Sequence, residues 1–210
     1  AILEVVRQMI VESKPIRFEG NGYSKEWHQE AEKRGLPNFK TTSRALVAMN
    51  SKSAIEIFER QAVLNAREIE SRYIIKQERY VQDITIEALT AANIAKTEII
   101  PAAIKYQKEV TDVVLGIKAA FGDDKHAIEQ KNILIEVSTL IGQINVEVKK
   151  IAEALEKGES VTELTEQAHF YDDVVKAHTK ALRLKVDALE EIVDNELWPL
   201  PKYSEMLFLI

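Results

Sequence analysis

Between Thr41 and Asn195 the chain carries a single proline, Pro101, and only four glycines. Proline and glycine are the residues that most often interrupt regular structure. A stretch this long with so few of them is committed to long elements, and its apolar spacing selects helices. Asn65, followed three residues later by Glu68, has the form of a capping box. The helical pattern then runs on towards Phe121 and Gly122. Unbroken, that helix would be about 85 Å long at roughly 1.5 Å per residue. Pro101 has no N–H to donate, and its ring meets the carbonyl of Thr97, so a kink is predicted near Ile99.

Asp123 or Asp124 is predicted to open a second long helix. Its apolar positions Leu134, Val137, Ile141, Ile144, Val148, Ile151 and Leu155 are spaced in alternating steps of three and four, the spacing of a coiled-coil seam. Gly158 is read as its stop. Ser160-Val161-Thr162-Glu163 has the form of another capping box. The last helix is predicted to run to about Asn195, with Leu164, Ala168, Tyr171, Val175, Leu182, Leu189 and Ile192 near one stripe. The short connection makes these two helices an antiparallel hairpin. The helix from Asn65 covers the remaining apolar edge with the small side chains Ala88, Ala91, Ala92 and Ala95.

The first fifth of the chain is different. Pro15, Gly20, Gly22, Gly35 and Pro37 crowd into it. Ala1 to Ser13 reads as an amphipathic helix with Ile2, Val6, Met9 and Ile10 on one side and Leu3 and Val5 beside them. It lacks an N-cap residue, which suggests a helix that continues from a preceding segment. Ile16 to Phe18 reads as a short strand, and Gly20-Asn21-Gly22 as a tight turn with positive φ. Ser24 caps a helix carrying Trp27 and Ala31 inward, and Gly35 sits where a C-terminal cap belongs. Two short helices follow, one from Thr42 or Ser43 to Met49 and one from Ser51 with Ile55, Phe58 and Ala62 on its buried side. The tail from Trp198 contains two prolines and the apolar residues Leu200, Met206, Leu207, Phe208, Leu209 and Ile210. It is predicted to dock as an extended segment. The expected fold is therefore all-α, a bundle of long antiparallel helices with a coiled-coil-like hairpin. Three segments organise it: 1–64 with loops and short helices, 65–197 as the bundle, and 198–210 as the tail.

The net charge of -6, with acidic and basic residues interspersed, argues against a nucleic-acid surface. The absence of cysteine excludes disulfide and thiolate chemistry and fits a reducing cytoplasm. No apolar run approaches the roughly 20 residues that a membrane helix needs, and no signal peptide is visible.

The chemical candidates are weak. Glu166 and His169 have the E-x-x-H spacing of di-iron bundles. Such a site needs two of these motifs, and His28, His126 and His178 have no glutamate three residues before them. His178 lies within an apolar stripe and reads as a packed histidine sharing a hydrogen bond. Asp123-Asp124 and Asp172-Asp173 are adjacent on their helices and point about 100° apart, so neither pair converges; they read as capping and solvated groups. Gly20-Asn21-Gly22 lacks the lysine and hydroxyl residue of a phosphate loop, and Tyr23 and Trp27 beside it suggest a packed loop. Trp27 and Trp198 read as anchors. No catalytic, cofactor-binding or metal-ligating residue is assigned.

Three separated stretches resemble type III glutamine synthetase. The first is G-N-G-Y-S-x-E-W at Gly20 to Trp27 with E-A-E-x-R-G-L-P-N at Glu30 to Asn38. The second is Arg72-Tyr73 followed by Ile86 to Thr90 and Ile100-Pro101-Ala102. The third is W-P-x-P-x-Y-x-x-M-L-F at Trp198 to Phe208. Ser43 departs from the pattern, since proline is expected there. So does the end, where an acidic residue often follows the phenylalanine. The resemblance implies a C-terminal helical region lying beyond the catalytic part of an enzyme that joins ammonia to glutamate using ATP and magnesium. On that reading these cofactors belong to the parent and not to this chain. Its role is structural, through contacts with the rest of the parent chain and with other subunits, including a second copy. The alternative is an independent helical scaffold that binds a partner through its seam or tail. A ferritin-like metalloprotein is the outsider.

Overall fold

A computed structural model describes residues 2–207. The expectations for Phe208, Leu209 and Ile210 lie outside the described residues. The chain divides into two compact units between Lys40 and Thr41, whereas the sequence reading places its first boundary after Leu64. Each unit has its own logic.

In the first unit, α1 spans Ile2–Glu12 and α2 spans Lys25–Lys33. The apolar side chains of α1, Ile2, Val6, Met9 and Ile10 among them, are all exposed. The expected strand at Ile16 to Phe18 does not form. Pro15 favours a helical first turn, and Lys14–Ile16 is a turn of 3-10 helix. The expected positive φ of the Gly20–Gly22 turn is also absent, because only Gly35 and Gly122 adopt it among the glycines. Gly20 matters for another reason: a Cβ there would stand 2.7 Å from Cζ of Phe18. That ring packs on Trp27 with centroids 4.7 Å apart. Tyr23, expected to pack, is 95% exposed. Ser24 caps α2 as predicted, its side chain accepting from the N–H of Trp27 at 3.3 Å. Gly35 at φ +70° turns the chain out of α2, and Leu36 N–H reaches back to the carbonyl of Ala31 at 2.9 Å. Arg34 ties the unit together by donating to Glu30 and to the carbonyls of Pro15 and Arg17.

In the second unit, α3 (Thr42–Met49) and α4 (Lys52–Arg60) precede the long helices. Ala62, expected on the buried face of α4, is exposed and takes a left-handed φ of 53° where the chain leaves that helix. Asn65 and Glu68 form the predicted capping box at 3.0 and 2.9 Å, and α5 runs Ala66–Ile94. Pro101 neither stops nor interrupts the helix. A π turn at Ala95–Ile99 leads directly into α6, Ile100–Phe121. Ile100 N–H reaches the carbonyl of Ala95, five residues back, which changes the hydrogen-bond register just ahead of the residue that has no donor. Gly122 at φ +82° ends α6.

A 3-10 turn at Lys125–Ala127 opens α7, Ile128–Glu159. Its buried seam includes Val137, Ile144, Val148, Ile151 and Leu155 as predicted; Leu140 is buried in place of Ile141. Helix α7 ends one residue after Gly158, close to the predicted stop, although Gly158 takes no left-handed φ; its missing Cβ makes room for the ring of Tyr171, whose Cε2 would be 2.4 Å from a Cβ there. The next helix, α8, spans Leu164–Phe170 and is capped by Glu163 rather than by Ser160. The Glu163 carboxylate accepts from Thr165 and Glu166 N–H groups. A second π turn, Tyr171–Val175, joins α8 to α9, Lys176–Glu190. Helix α9 therefore ends short of Asn195, where Asp194 starts a turn whose carbonyl accepts from Trp198 N–H. The tail is not extended throughout, because α10 forms at Tyr203–Met206 and the Glu205 carboxylate accepts from Lys202 N–H at 2.8 Å.

No strand occurs among the described residues. Helix α7 packs along α9 and α6, while α5 packs against α8 and α9. Together they enclose one apolar core that includes Ala88, Ile99, Ile144, Tyr171, Leu182 and Trp198.

Candidate functional site

The stripe Ile69, Tyr73, Gln77, Ile84 and Ala88 is the buried face of α5. Two of its members are polar, and with the half-buried Tyr80 they aim at α3, α8 and the second π turn. Ser43 and Gln77 are both 0% exposed, and Asp172 is 8% exposed. Asp172 is the hub. Its Oδ1 accepts from Tyr80 at 2.8 Å and from Lys176 Nζ at 2.9 Å, and its Oδ2 accepts from Ser43 at 3.1 Å. Gln77 donates to the Ser43 carbonyl at 3.1 Å and to the Tyr73 hydroxyl at 3.3 Å. Tyr73 in turn meets Thr165 at 2.8 Å. Three parts of the chain distant in sequence, α3, α5 and the second π turn with the start of α9, are pinned to one carboxylate.

Burial alone would push the Asp172 carboxyl up. The nearby Thr41 hydroxyl and the hydrogen bonds from Lys176, Tyr80 and Ser43 together outweigh it and hold the group at about 2. The Asp172 hydrogen bond raises Lys176 against the opposing effect of burial. Burial, then the bond to Asp172, raises Tyr80. The cluster is thus an ion pair with its hydroxyl partners in place. Tyr171, Asp172 and Val175 are all buried in the second π turn. Asp172 is a buried hub where a solvated residue was expected. Its neighbour Asp173 does face outward and meets Arg44 at 2.6 Å. The missed signal is on α5, where Tyr73, Gln77 and Tyr80 repeat at steps of four and three in register with Ile69, Ile84 and Ala88.

The other candidates fall apart. Glu166 is exposed, and His169 Nε2 is buried with no hydrogen-bond partner, so the E-x-x-H pair does not converge. His178 is the packed, hydrogen-bonded histidine predicted, with Nδ1 3.0 Å from Glu147 Oε2 across the hairpin. The hydrogen bond from Lys150, helped by His178 and opposed by burial, lowers the Glu147 carboxyl. Asp123 accepts from Lys125 N–H, and Asp124 pairs with Lys131 at 2.8 Å. Trp27 is half-buried, and Trp198 is 7% exposed in the core. Among the described residues no three His, Asp or Glu side chains come together as a metal cage. Both oxygens of Asp172 are already engaged by protein donors. Among them, no helix is long and apolar enough to cross a membrane.

Beside the hub lies a groove of about 580 Å³, and Lys176 belongs to both. Its floor includes Ile84, Ala91, Ala95, Ile99, Leu182 and Trp198. Both π turns reach it, the first through Ala95 and Ile99, the second through Lys176 at its C-terminal end.

A family model described as the glutamine synthetase C-terminal domain matches residues 1–118. The chain belongs to that family. It is 31% identical over 211 residues to a glutamine synthetase of Bacteroides fragilis (strain YCH46), covering 99% of this chain and 29% of that protein. A glutamine synthetase of Butyrivibrio fibrisolvens is 31% identical over 207 residues, again covering 99% of this chain and 29% of the relative. A type-3 glutamine synthetase of Dictyostelium discoideum is 29% identical over 212 residues, covering 100% and 29%. The similarity read from three short stretches thus extends along the whole chain, and the chain spans under a third of the relatives it matches. The hairpin beyond residue 118 lies outside the family model's match but inside these alignments.

Proposed function

We propose that this chain is the helical C-terminal domain of a type III glutamine synthetase and that its role there is structural rather than catalytic. The observation that carries the reading is coverage: relatives named glutamine synthetase align with essentially all of this chain, which makes up 29% of their length. The chemistry of the hub supports it. A carboxylate held at about 2 and accepting from three side chains is built to lock helices together, whereas a general base needs a pKa near the working pH. The parent reaction, ATP-dependent ligation of ammonia to glutamate, is placed with its nucleotide and magnesium in the part of the polypeptide outside these residues. The domain contributes subunit contacts or holds the catalytic body in position, in a cytoplasmic oligomer. γ-Glutamyl transfer by the purified 210-residue chain is the direct test. The expected result is none above background, and measurable turnover overturns the reading.

A further inference from the structure

Helix α7 carries a second seam. Its core seam, through Val137, Ile144 and Ile151, is buried as α7 packs on α6 and α9. On the far side, Ile128, Asn132, Ile135, Thr139, Gly142 and Val146 follow one another in steps of four and three, the alternation of a coiled-coil interface. At roughly 100° per residue the six fall within an arc of about 80°, opposite the core stripe. All six are exposed, Ile128 at 59%, Ile135 at 66% and Val146 at 49%. None is charged. The helix carries its charges on the flanks of this seam, at Glu129, Lys131 and Glu136, and Lys149 and Glu153 take the next two seam places and end it. Apolar side chains at this spacing, edged by charge, form a surface shaped for another helix.

The flanks select a second copy of α7 as that helix. The steps place Asn132, Thr139 and Val146 at a positions and Ile128, Ile135 and Gly142 at d positions. In a parallel pair, the residue before an a position faces the residue five places further on in the other strand. Lys131 therefore meets Glu136 of the second copy, and the two-fold axis repeats the contact in reverse. Lys131 also holds Asp124 at 2.8 Å, and an ammonium has three donors, enough for both carboxylates. Asn132 meets its own equivalent, and one asparagine at an a position fixes register and strand number. An antiparallel pair would set the glutamate flank against itself. Gly142 leaves room for close approach, since nothing lies within 4 Å of an added Cβ.

We propose that α7 pairs, parallel and in register, with α7 of a second copy through this outer seam. The inference rests on the structural reading above and deepens it by naming one of the subunit contacts. The seam spans about 27 Å, under three heptads, so the pair is weak in isolation and is best trapped covalently.

The 210-residue chain contains no cysteine, so single introduced cysteines report pairing cleanly. Asn132→Cys and Val146→Cys are oxidised separately at one protein concentration, beside Glu78→Cys, an exposed control on α5. Equivalent seam positions of a parallel pair come within the roughly 4.4–6.8 Å between Cα atoms that a disulfide spans. Each seam variant is expected to form its disulfide dimer about tenfold faster than the control, or more. Adding Ile135→Asp should slow trapping of Val146→Cys about tenfold, and adding Glu136→Lys about threefold. Both residues are exposed, so melting temperatures should not change. Trapping no faster than the control overturns the proposal. So does cross-linking only when the two seam variants are mixed, which marks an antiparallel pair, and so does a rate indifferent to either added substitution. None of these outcomes touches the transfer assay, so the loss of the seam proposal and the loss of the structural reading are distinguishable.

Discussion

Gly158 and Gly142 lie in the same helix, α7, and replacing each by alanine should move stability in opposite directions. At Gly158 a Cβ would stand 2.4 Å from Cε2, 3.0 Å from Cζ and 3.1 Å from Cδ2 of Tyr171. Carbon atoms rest about 3.5–4.0 Å apart, so the ring or the helix must shift. The ring cannot move into solvent, because Tyr171 is 2% exposed and its backbone sits in the second π turn. Overpacking of this kind costs about 1–3 kcal/mol. The glycine-to-alanine change in a helix returns roughly 1 kcal/mol. The net result is destabilisation of up to about 2 kcal/mol. At Gly142 nothing lies within 4 Å of the added Cβ, so only the gain of about 1 kcal/mol remains. The two variants should differ by about 1–3 kcal/mol, or roughly 2–12 °C in melting temperature for a chain of this length. Urea and thermal unfolding of Gly158→Ala and Gly142→Ala read this directly. In a Tyr171→Ala background the penalty at residue 158 should vanish, which a double-mutant cycle detects. If both alanines stabilise equally, the ring is not seated on Gly158 and the packing of α7 on the second π turn is misread.

Four further outcomes follow from the same structure. Ala62→Gly should stabilise the chain by about 1 kcal/mol in urea unfolding, because Ala62 pays for a left-handed φ of 53° at the end of α4. Asp172→Ala should cost about 3 kcal/mol, since it strands Lys176, Tyr80 and Ser43 without their acceptor. The Asp172 carboxyl lies at about 2 instead of 3.8, so it contributes about 2 kcal/mol that is fully present above pH 3.8 and is lost as the pH falls through that value towards 2. Acid titration of stability should show this slope, and Asp172→Asn should remove it. Ser43→Pro should cost about 1 kcal/mol and leave the fold intact, because proline is tolerated in the first turn of α3 while the hydroxyl donor to Asp172 is lost.

Helices were legible wherever the signal was local. The Asn65–Glu68 box, the Ser24 cap and the seam through Val137, Ile144 and Ile151 follow from residue type and spacing alone. Places where the hydrogen-bond register changes were not legible. The π turn before Pro101 shifts the hydrogen-bond register just ahead of the missing donor, and a second π turn, Tyr171–Val175, holds the buried Asp172. Gly158 marks the end of α7 to within one residue, but its contact with the Tyr171 ring is a long-range one that no local pattern encodes. In the first unit, Gly20 and Pro15 signalled a bend correctly. Its form depended on the contact of Phe18 with Trp27, which no local pattern encodes.

The central claim is that this domain holds a larger enzyme together without taking part in its chemistry. Ile144 is fully buried in the bundle core, away from both the hub and the groove, and Ile144→Asp places a charge there. Light scattering of the full-length protein carrying this substitution, run alongside a γ-glutamyl transfer assay, tests the claim most directly. The account predicts smaller assemblies, with transfer activity falling in step with the lost mass. Native mass with full activity contradicts it, and so does native mass with activity abolished.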